Sequence, residues 1–576
     1  MIERICPKCK VPMLGEKCIK KSCNCKTEIS STIYWCSECN IPIYDKICSI
    51  CGVEGSYIAT DIRPVFPEEQ LLVELILEKI PFYYKHKSIW YGSNSYIIDG
   101  KKQKLAISKV NKWNLDKIKE IKEKYEANKD KIDYLAFEEI IKKFVVANKN
   151  HCDSITEEAV HYVQSYKERY EIDDMLVSFS GGKDSTVTSH IVNKALGTNK
   201  VLHVFGDTTL EFPFTLEYRK RFNKSEGAQG VKVITAKNRE KNFEELCEVV
   251  GPPSRVMRWC CTVFKTGAIQ KTISSAFKDK TNILTFQGIR RNESTSRSKY
   301  ERESESPKIS KQTVVSPIIN WIDFDVWLYI LANDIDFNDA YRLGYTRVGC
   351  WCCPNNGAWS EFLSKVHMFD QYVHWRNILV RFAKQIGKPD AEDYVDNGNW
   401  KARQGGNGLE AAQKSIVTFE PCAIDGNSFN YELQRPINEE LYELFKPFGY
   451  INRELGDKRL GEVYILNKTG EVMMILQGRV GSNRLKVTIK NIHIAGARTL
   501  VVAEGKIQCQ LTKYQMCLGC NACEGICKHD AIKVKDDGNG NITYSIDDDR
   551  CIRCTDCVGH FNAGCYMRKV LGIKRN

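Results

Sequence analysis

The sequence predicts an α/β protein whose core is a doubly wound parallel sheet with a phosphate-binding loop, flanked by small cysteine-rich and α+β modules. Three observations predict it. The stretch "DDMLVSFSGGKDSTVTSHIVNKAL" (173–196) reads as apolar strand, glycine loop and helix. "VLHVFGDTTLEFP" (201–213) adds a second apolar strand that ends in Asp207 and Thr208. The 26 cysteines gather in tight CxxC clusters near both ends and in the middle.

At 576 residues the chain exceeds one ordinary core, and several units are expected. No run approaches the length of an apolar membrane span, and "MIERICPKCK" has no apolar signal region, so a cytoplasmic chain with no membrane partner is expected. In a reducing compartment, cysteines so spaced point to metal rather than disulfides. The formal charge of +12 suggests nucleic acid at first sight. Four thiolates on Zn²⁺, or on a [4Fe–4S] core, leave about −2 each. Five such sites bring the balance near neutral, so global charge excludes little. Residues 101–150, with 14 lysines against 8 acids, read as a solvated helix surface.

Residues 1–58 carry one phrase twice. "CPKCKVPMLGEKC" from Cys6 and "CSECNIPIYDKIC" from Cys36 share a CxxC, a proline three residues on and a further cysteine. The second copy closes as Cys36, Cys39, Cys48 and Cys51, the spacing of a four-thiolate structural zinc site. The first offers Cys6, Cys9 and Cys18, with Cys23 or Cys25 as fourth ligand. Two zinc ribbons are expected, closed to chemistry because no coordination position is open. Residues 59–150 read as a small α+β module, with a hairpin turning at Asp99-Gly100 and helix from about Leu115.

In residues 151–415 the loop is not a Walker A sequence, because Asp184 follows Lys183 and the earlier glycine is missing. Strand, glycine loop and helix still aim backbone N–H groups and a helix N-terminus at an anion. Asp207 ends the second strand, where an acid commonly meets a ribose or base edge. Downstream come "RWCCTVFK" (258–265), "FQGIRRNESTSRS" (286–298) and a tryptophan-rich segment before "GYTRVGC" (344–350).

These motifs, in this order, resemble the phosphoadenosine phosphosulfate reductase family, within the adenine-nucleotide alpha-hydrolase-like (PP-loop) fold. The resemblance implies an adenine-nucleotide site at Ser178, Ser180, Gly181, Gly182, Lys183, Asp184, Ser185, Thr186, Asp207, Thr208 and Gly288. It makes Arg290, Arg291 and Arg297 an anion clamp, since guanidinium forks suit phosphate and sulfate. The pair Cys260–Cys261 with Cys350 and Cys353 resembles the iron–sulfur ligand set of adenylylsulfate reductases and DNA phosphorothioation proteins. Zinc would use the same four residues. Cys352 is a spare thiol.

Residues 416–505 alternate like a sheet-containing module. In 506–576, Cys517, Cys520, Cys523 and Cys527 have the CxxCxxCxxxC spacing of two-cluster ferredoxins, and Cys551, Cys554 and Cys557 supply a second run. By that likeness the fourth cysteine of each run serves the other cluster. One set is then Cys517, Cys520, Cys523 and Cys565, and the other is Cys527, Cys551, Cys554 and Cys557. Neither run ends in Cys-Pro.

The intact SGGKDS is typical of relatives that bind ATP with Mg²⁺ and release pyrophosphate, with Lys183, Asp184 and Ser185 as catalytic residues. The expected activity is adenylation of a nucleic-acid or small-molecule acceptor for sulfur transfer. It calls for three [4Fe–4S] clusters, two zinc ions, an electron donor and a sulfur donor protein. The alternatives are a sulfonucleotide reductase fed by the ferredoxin domain, and a non-enzymatic nucleotide sensor.

Overall fold

The computed structural model describes residues 31–224, 231–239, 241–305, 312–410, 418–517, 519, 522–527, 529–537, 541–559, 565, 567 and 570, with the backbone of 4–5, 12–13 and 28–29. The expected ligands Cys6, Cys9, Cys18, Cys23, Cys25 and Cys520 lie outside the described residues.

The central sheet has six strands, in the order Val233–Lys237, Leu202–Asp207, Met175–Phe179, Ile283–Gln287, Gln312–Val315, Glu303–Glu305. The first five run parallel, and Glu303–Glu305 closes the edge antiparallel. Helices cover such a sheet on both faces, which is why its strands are almost continuously apolar. Val177 stands opposite His203 on one side and Phe286 on the other. Chain order reverses between Met175–Phe179 and Ile283–Gln287, so the loops after these strands face each other across the crevice where such folds bind ligands.

The loop helix spans Lys183–Leu196, starting before the "TVTSH" run that announces it in the sequence. Gly182 caps its start in extended conformation, and Gly197, at φ +66°, ends it in the left-handed region.

The flanking modules are not beads on a string. Ile33 and Trp35 of the second ribbon share one apolar core with Phe66, Trp90 and Phe144, and with Val187, Ile191 and Trp321 of the nucleotide domain. In the 59–150 module the hairpin becomes three strands, Ile89–Gly92, Ser95–Ile98 and Lys101–Gln103. Its second turn is the expected Asp99-Gly100; the first, Ser93-Asn94, has φ of +51° and +56°. The sequence reading missed that first turn because it lacks a glycine. Helix Leu115–Glu126 follows, capped by the Asn114 side chain.

Residues 418–489 hold a six-stranded antiparallel sheet. The helix Leu500–Met516 runs straight through the expected boundary at 505/506. One core joins Val463, Met474 and Val487 of the sheet to Ile507 and Leu511 of this helix and to Val534, Tyr544 and Val558 beyond it. Sheet and cysteine-rich segment therefore fold as one body.

Around the second cysteine phrase, Ile33–Cys36, Ile41–Ile43 and Ser56–Ala59 form a three-stranded sheet. The ligand atoms of Cys36, Cys39, Cys48 and Cys51 all lie within 4.8 Å of one another. Cys36 Sγ is 3.4 Å from Cys51 Sγ, and Cys48 Sγ is 3.7 Å from Cys39 Sγ. Zn–S bonds of about 2.3 Å make a tetrahedron with edges of about 3.8 Å, so these four residues fit a single zinc ion. Replacing Cys36 with Ser should remove about one zinc per chain and leave the iron content unchanged, as read by metal analysis of the intact protein.

Candidate functional site

The phosphate loop is closed by its own hydroxyls. Ser185 Oγ donates to Gly182 O (2.8 Å) and accepts from Ser180 N–H (3.2 Å). Thr186 Oγ1 donates to Gly182 O (3.2 Å) and lies 2.9 Å from Tyr218 Oη. Gly181 has φ +71°, and a Cβ there would meet Thr215 Cγ2 at 2.9 Å, so only glycine fits. From outside the loop, Asn338 Nδ2 donates to Gly181 O (3.1 Å), and the Tyr341 hydroxyl accepts from Lys183 N–H (3.0 Å). Ser178 lies within the strand, in register with Val204 and Gln287.

Beneath the loop four charges meet. Lys183 Nζ is 3.1 Å from Asp184 Oδ2 and 3.2 Å from Asp323 Oδ1. Arg290 Nε donates to Asp184 Oδ1 (2.5 Å) and its Nη2 to Asp323 Oδ1 (2.6 Å). Lys183 is 4% exposed and Arg290 3%, while the Asp184 and Asp323 side chains keep 15% and 28%, so two buried cations are balanced by two partly exposed carboxylates. Burial would raise the Asp184 carboxyl, but the charges of Arg290 and Lys183 hold it below the usual carboxylate range. The same two cations keep Asp323 well below that range, again against its burial. The loops approach this closely because residue 288 is glycine; a Cβ there would meet Asp184 O at 2.5 Å.

The three arginines of the 286–298 loop part company. Arg290 is the buried member just described. Arg291 donates to Tyr300 O (3.0 Å) and Asn320 Oδ1 (2.8 Å), while Arg297 pairs with Glu293. In this ligand-free arrangement they do not converge on one anion. Asp207, at the end of its strand, is 3.2 Å from Lys237 Nζ and accepts from Thr209 N–H (2.8 Å).

Sequence reasoning missed the role of the 59–150 module. Its Asp61 accepts from the N–H groups of Asp323 and Phe324, both at 3.0 Å, at the start of helix Asp323–Ala332. It also accepts from Asn292 Nδ2 (3.0 Å). Asp61 thus fixes both segments that frame Arg290. Nearby, the buried pair Arg63–Glu69, two bonds of 2.7 Å, sits beneath Gly344, and Glu69 N–H donates to Arg342 O. The module thereby also holds the segment leading to Cys350. An Asp in a loop carries no local signal of such a task.

The central thiols gather at the same sheet end. Cys260 precedes a widened π-helical turn, Cys261–Thr266, a feature frequent at functional sites. The Cys260 thiol is pushed well up by its hydrogen bond with Cys261, by burial, and by the charges of Cys261, Cys350 and Cys352. Burial and the Glu211 charge push Cys350 up to about 12, while the Thr208 hydroxyl and Lys265 pull the other way. Thr208 Oγ1 is 3.3 Å from Cys350 Sγ and 2.8 Å from Glu211 Oε1, so it links strand end to thiol. Cys353 acts on Cys261 by charge, whereas Cys352 packs into the apolar cluster of Trp259 and Trp375.

Crowded, buried thiols resist ionisation, and a cation placed among them reverses that cost. Among the described residues only the Cys36 group is compact enough for one ion. Cys260, Cys261, Cys350 and Cys353 are spread more widely. The carboxy-terminal residues behave alike. Cys517, pushed up to about 12 by burial, feels Cys523 and Cys565. Cys554 feels Cys527 and Cys551, whereas Cys557, pushed up to about 12 by burial, feels Cys523 as well as Cys527 and Cys551. The buried Tyr544 hydroxyl faces Cys523. The described thiols of the two runs thus lie close to one another, with Cys523 near members of both.

The short helix Ala522–Ile526, which carries Cys523, packs on the Cys261–Thr266 turn and the helix Gly267–Ala276. Cys565, Met567 and Val570 enter the same apolar cluster as Trp259 and Cys352.

Residues 174–356 match the phosphoadenosine phosphosulfate reductase domain. An uncharacterized protein of Methanocaldococcus jannaschii is 32% identical over 294 residues, 50% of this chain and 59% of its own length. A sulfate adenylyltransferase subunit 2 of Alkalilimnicola ehrlichii is 26% identical over 215 residues, 33% of this chain and 67% of its own length. An adenosine 5′-phosphosulfate reductase of Bacillus subtilis is 26% identical over 193 residues, 33% of this chain and 78% of its own length. The chain thus spans less than two thirds of the first relative and matches the two enzymes over a third of itself. No described helix is long and apolar enough to cross a membrane.

The site makes stability depend on pH through Asp61. Burial, and then the Asp323 charge, push its carboxyl up to about 7 against the pull of Arg290 and of two N–H groups. A carboxyl raised above its unfolded value of about 3.9 contributes stability that is complete below about pH 4 and lost as pH rises through about 7. Wild type should therefore lose thermal stability relative to Asp61→Asn between about pH 5 and about pH 8. A constant difference in Tm across that range would contradict the assignment.

Proposed function

We propose that the domain around residues 174–356 is an ATP pyrophosphatase that adenylates an oxygen of an acceptor, a nucleic acid or small molecule, for replacement by sulfur. One observation carries the reading: the SGGKDS loop and the Cys260–Cys353 thiols occupy the same end of one sheet, with Thr208, just past the second strand, 3.3 Å from Cys350. A nucleotide seated on the loop would lie at the same sheet end as the thiols. The relatives' names point the same way, one to adenylyl transfer onto sulfate and one to reduction of an adenylylated sulfur oxyacid.

Loop N–H groups and the N-terminus of helix Lys183–Leu196 hold the phosphates. Lys183 and Arg290 neutralise charge that develops as the α–β bond breaks, while Asp184 and Asp323 hold Mg²⁺. The acceptor oxygen takes the α-phosphorus, pyrophosphate leaves, and a sulfur nucleophile from a donor protein then displaces AMP. Iron–sulfur clusters on Cys260, Cys261, Cys350 and Cys353, and on the two carboxy-terminal sets, would supply electrons that reset the sulfur carrier. The packing of the Cys523 helix on the Cys261–Thr266 turn supports a short path between them.

A second reading, reduction of adenylylsulfate or its 3′-phosphate, draws support from the commitment of Lys183 to Asp184 and Asp323. That commitment leaves the backbone loop for a single phosphate.

Anaerobic protein given [α-³²P]ATP and Mg²⁺ should release AMP and pyrophosphate. Lys183→Ala should lower that rate by about 10²–10³ while iron stays bound. Sulfite from adenylylsulfate, with ATP untouched, would establish the reductase instead. Turnover of neither would leave a nucleotide sensor.

A further inference from the structure

Lys513 is buried, at 2% exposure, in the last turn of helix Leu500–Met516. Its carbonyl accepts from Cys517 N–H (3.0 Å), and its ammonium donates to Cys557 O (2.6 Å). One residue thus grips the first cysteine run by its backbone and the second by its side chain. Burial works against its charge, and the neighbouring thiols of Cys523, Cys557, Cys565 and Cys509 act the other way. A buried ammonium is costly unless an anion accompanies it. Neutral thiols supply no such charge, whereas four thiolates around a [4Fe–4S] core carry about −2, and one more unit after reduction.

We propose that Lys513 is the internal counter-ion of the two carboxy-terminal iron–sulfur clusters and raises their reduction potentials. This rests on the reading that Cys517, Cys520, Cys523 and Cys565, and Cys527, Cys551, Cys554 and Cys557, hold such clusters. Reduction adds one electron and therefore one negative charge, and a fixed positive charge nearby favours the reduced form more than the oxidised one. Across several ångströms, at an effective dielectric constant of about 20, one unit charge changes such an equilibrium at least about tenfold. Placed against both sets, a single cation lifts two neighbouring potentials together and keeps transfer between them close to level. Lys513 is a positioning residue for charge, in contact with neither nucleotide nor acceptor.

The test uses the full-length anaerobic protein and its Lys513→Met and Lys513→Arg variants, with iron analysis and redox titration followed by electron paramagnetic resonance. The Met variant should load the same iron and show two components whose reduction is at least about tenfold harder, about 59 mV more negative. The Arg variant should stay near wild type. Iron loading in the Arg variant but not the Met variant would show that the charge is needed for assembly, which also supports the counter-ion role. Unchanged midpoints in an iron-replete Met variant would overturn it, as would loss of iron in both variants, which would reduce Lys513 to a packing residue. Wild-type protein without about eight carboxy-terminal irons would instead overturn the cluster reading itself.

Discussion

The pairing of buried Lys183 and Arg290 with the partly exposed carboxylates of Asp184 and Asp323 is the constraint on which the rest of the structure depends. Either cation would be expensive to bury alone. Their convergence requires the loop after Met175–Phe179, the loop after Ile283–Gln287 and the start of helix Asp323–Ala332 to meet at one point. Parallel strands with a switch in winding order supply that meeting, and Gly288 lets the two loops close to backbone distance. The outer modules follow from the same need. Asp61 holds the helix start and Asn292, and the Arg63–Glu69 pair underlies Gly344, so the 59–150 module stiffens the frame around the charges.

Thiols pose the same electrostatic problem with the opposite sign. Groups of buried cysteines are disfavoured as anions until positive charge arrives among them. Two kinds of answer are visible. The compact Cys36 group leaves room for one ion, whereas the wider groups suit a larger, multi-iron core. Polar groups face the wide groups, the Thr208 hydroxyl 3.3 Å from Cys350 and the Tyr544 hydroxyl beside Cys523.

Much of this was legible in the sequence, because the signals were local. Strand, SGGKDS loop and helix are contiguous, and the CxxC spacing from Cys36 to Cys51 fixes four thiols that do meet. Long-range partners were not legible. Nothing near Asp61 announces that it caps a helix 262 residues away, and Asp323 and Tyr341 sit in segments whose composition reads as plain core. Arg290, Arg291 and Arg297 looked like one clamp because they are neighbours in sequence. Yet Arg290 turns inward to two carboxylates, while the others bind a backbone carbonyl, Asn320 and Glu293. The boundary placed at 505/506 failed for a related reason. The helix Leu500–Met516 carries apolar residues for both sides of it, and composition cannot show that two sides share a core.

The closed network also constrains how a nucleotide enters under the proposed function. Lys183 can turn to a phosphate only by loosening its hold on Asp184 or Asp323, and Arg290 alone would then face two carboxylates beside an incoming polyanion. That exchange is favourable only if positive charge arrives with the phosphate. A magnesium ion carried by ATP meets the requirement, because it takes the freed carboxylates while Lys183 takes phosphate oxygen. A metal-free monophosphate brings no such charge and must be content with the loop's N–H groups and helix dipole. The buried network is therefore a filter as well as a support. It favours nucleotides that arrive with a divalent cation, and in its resting form it leaves the loop shaped while its lysine stays paired.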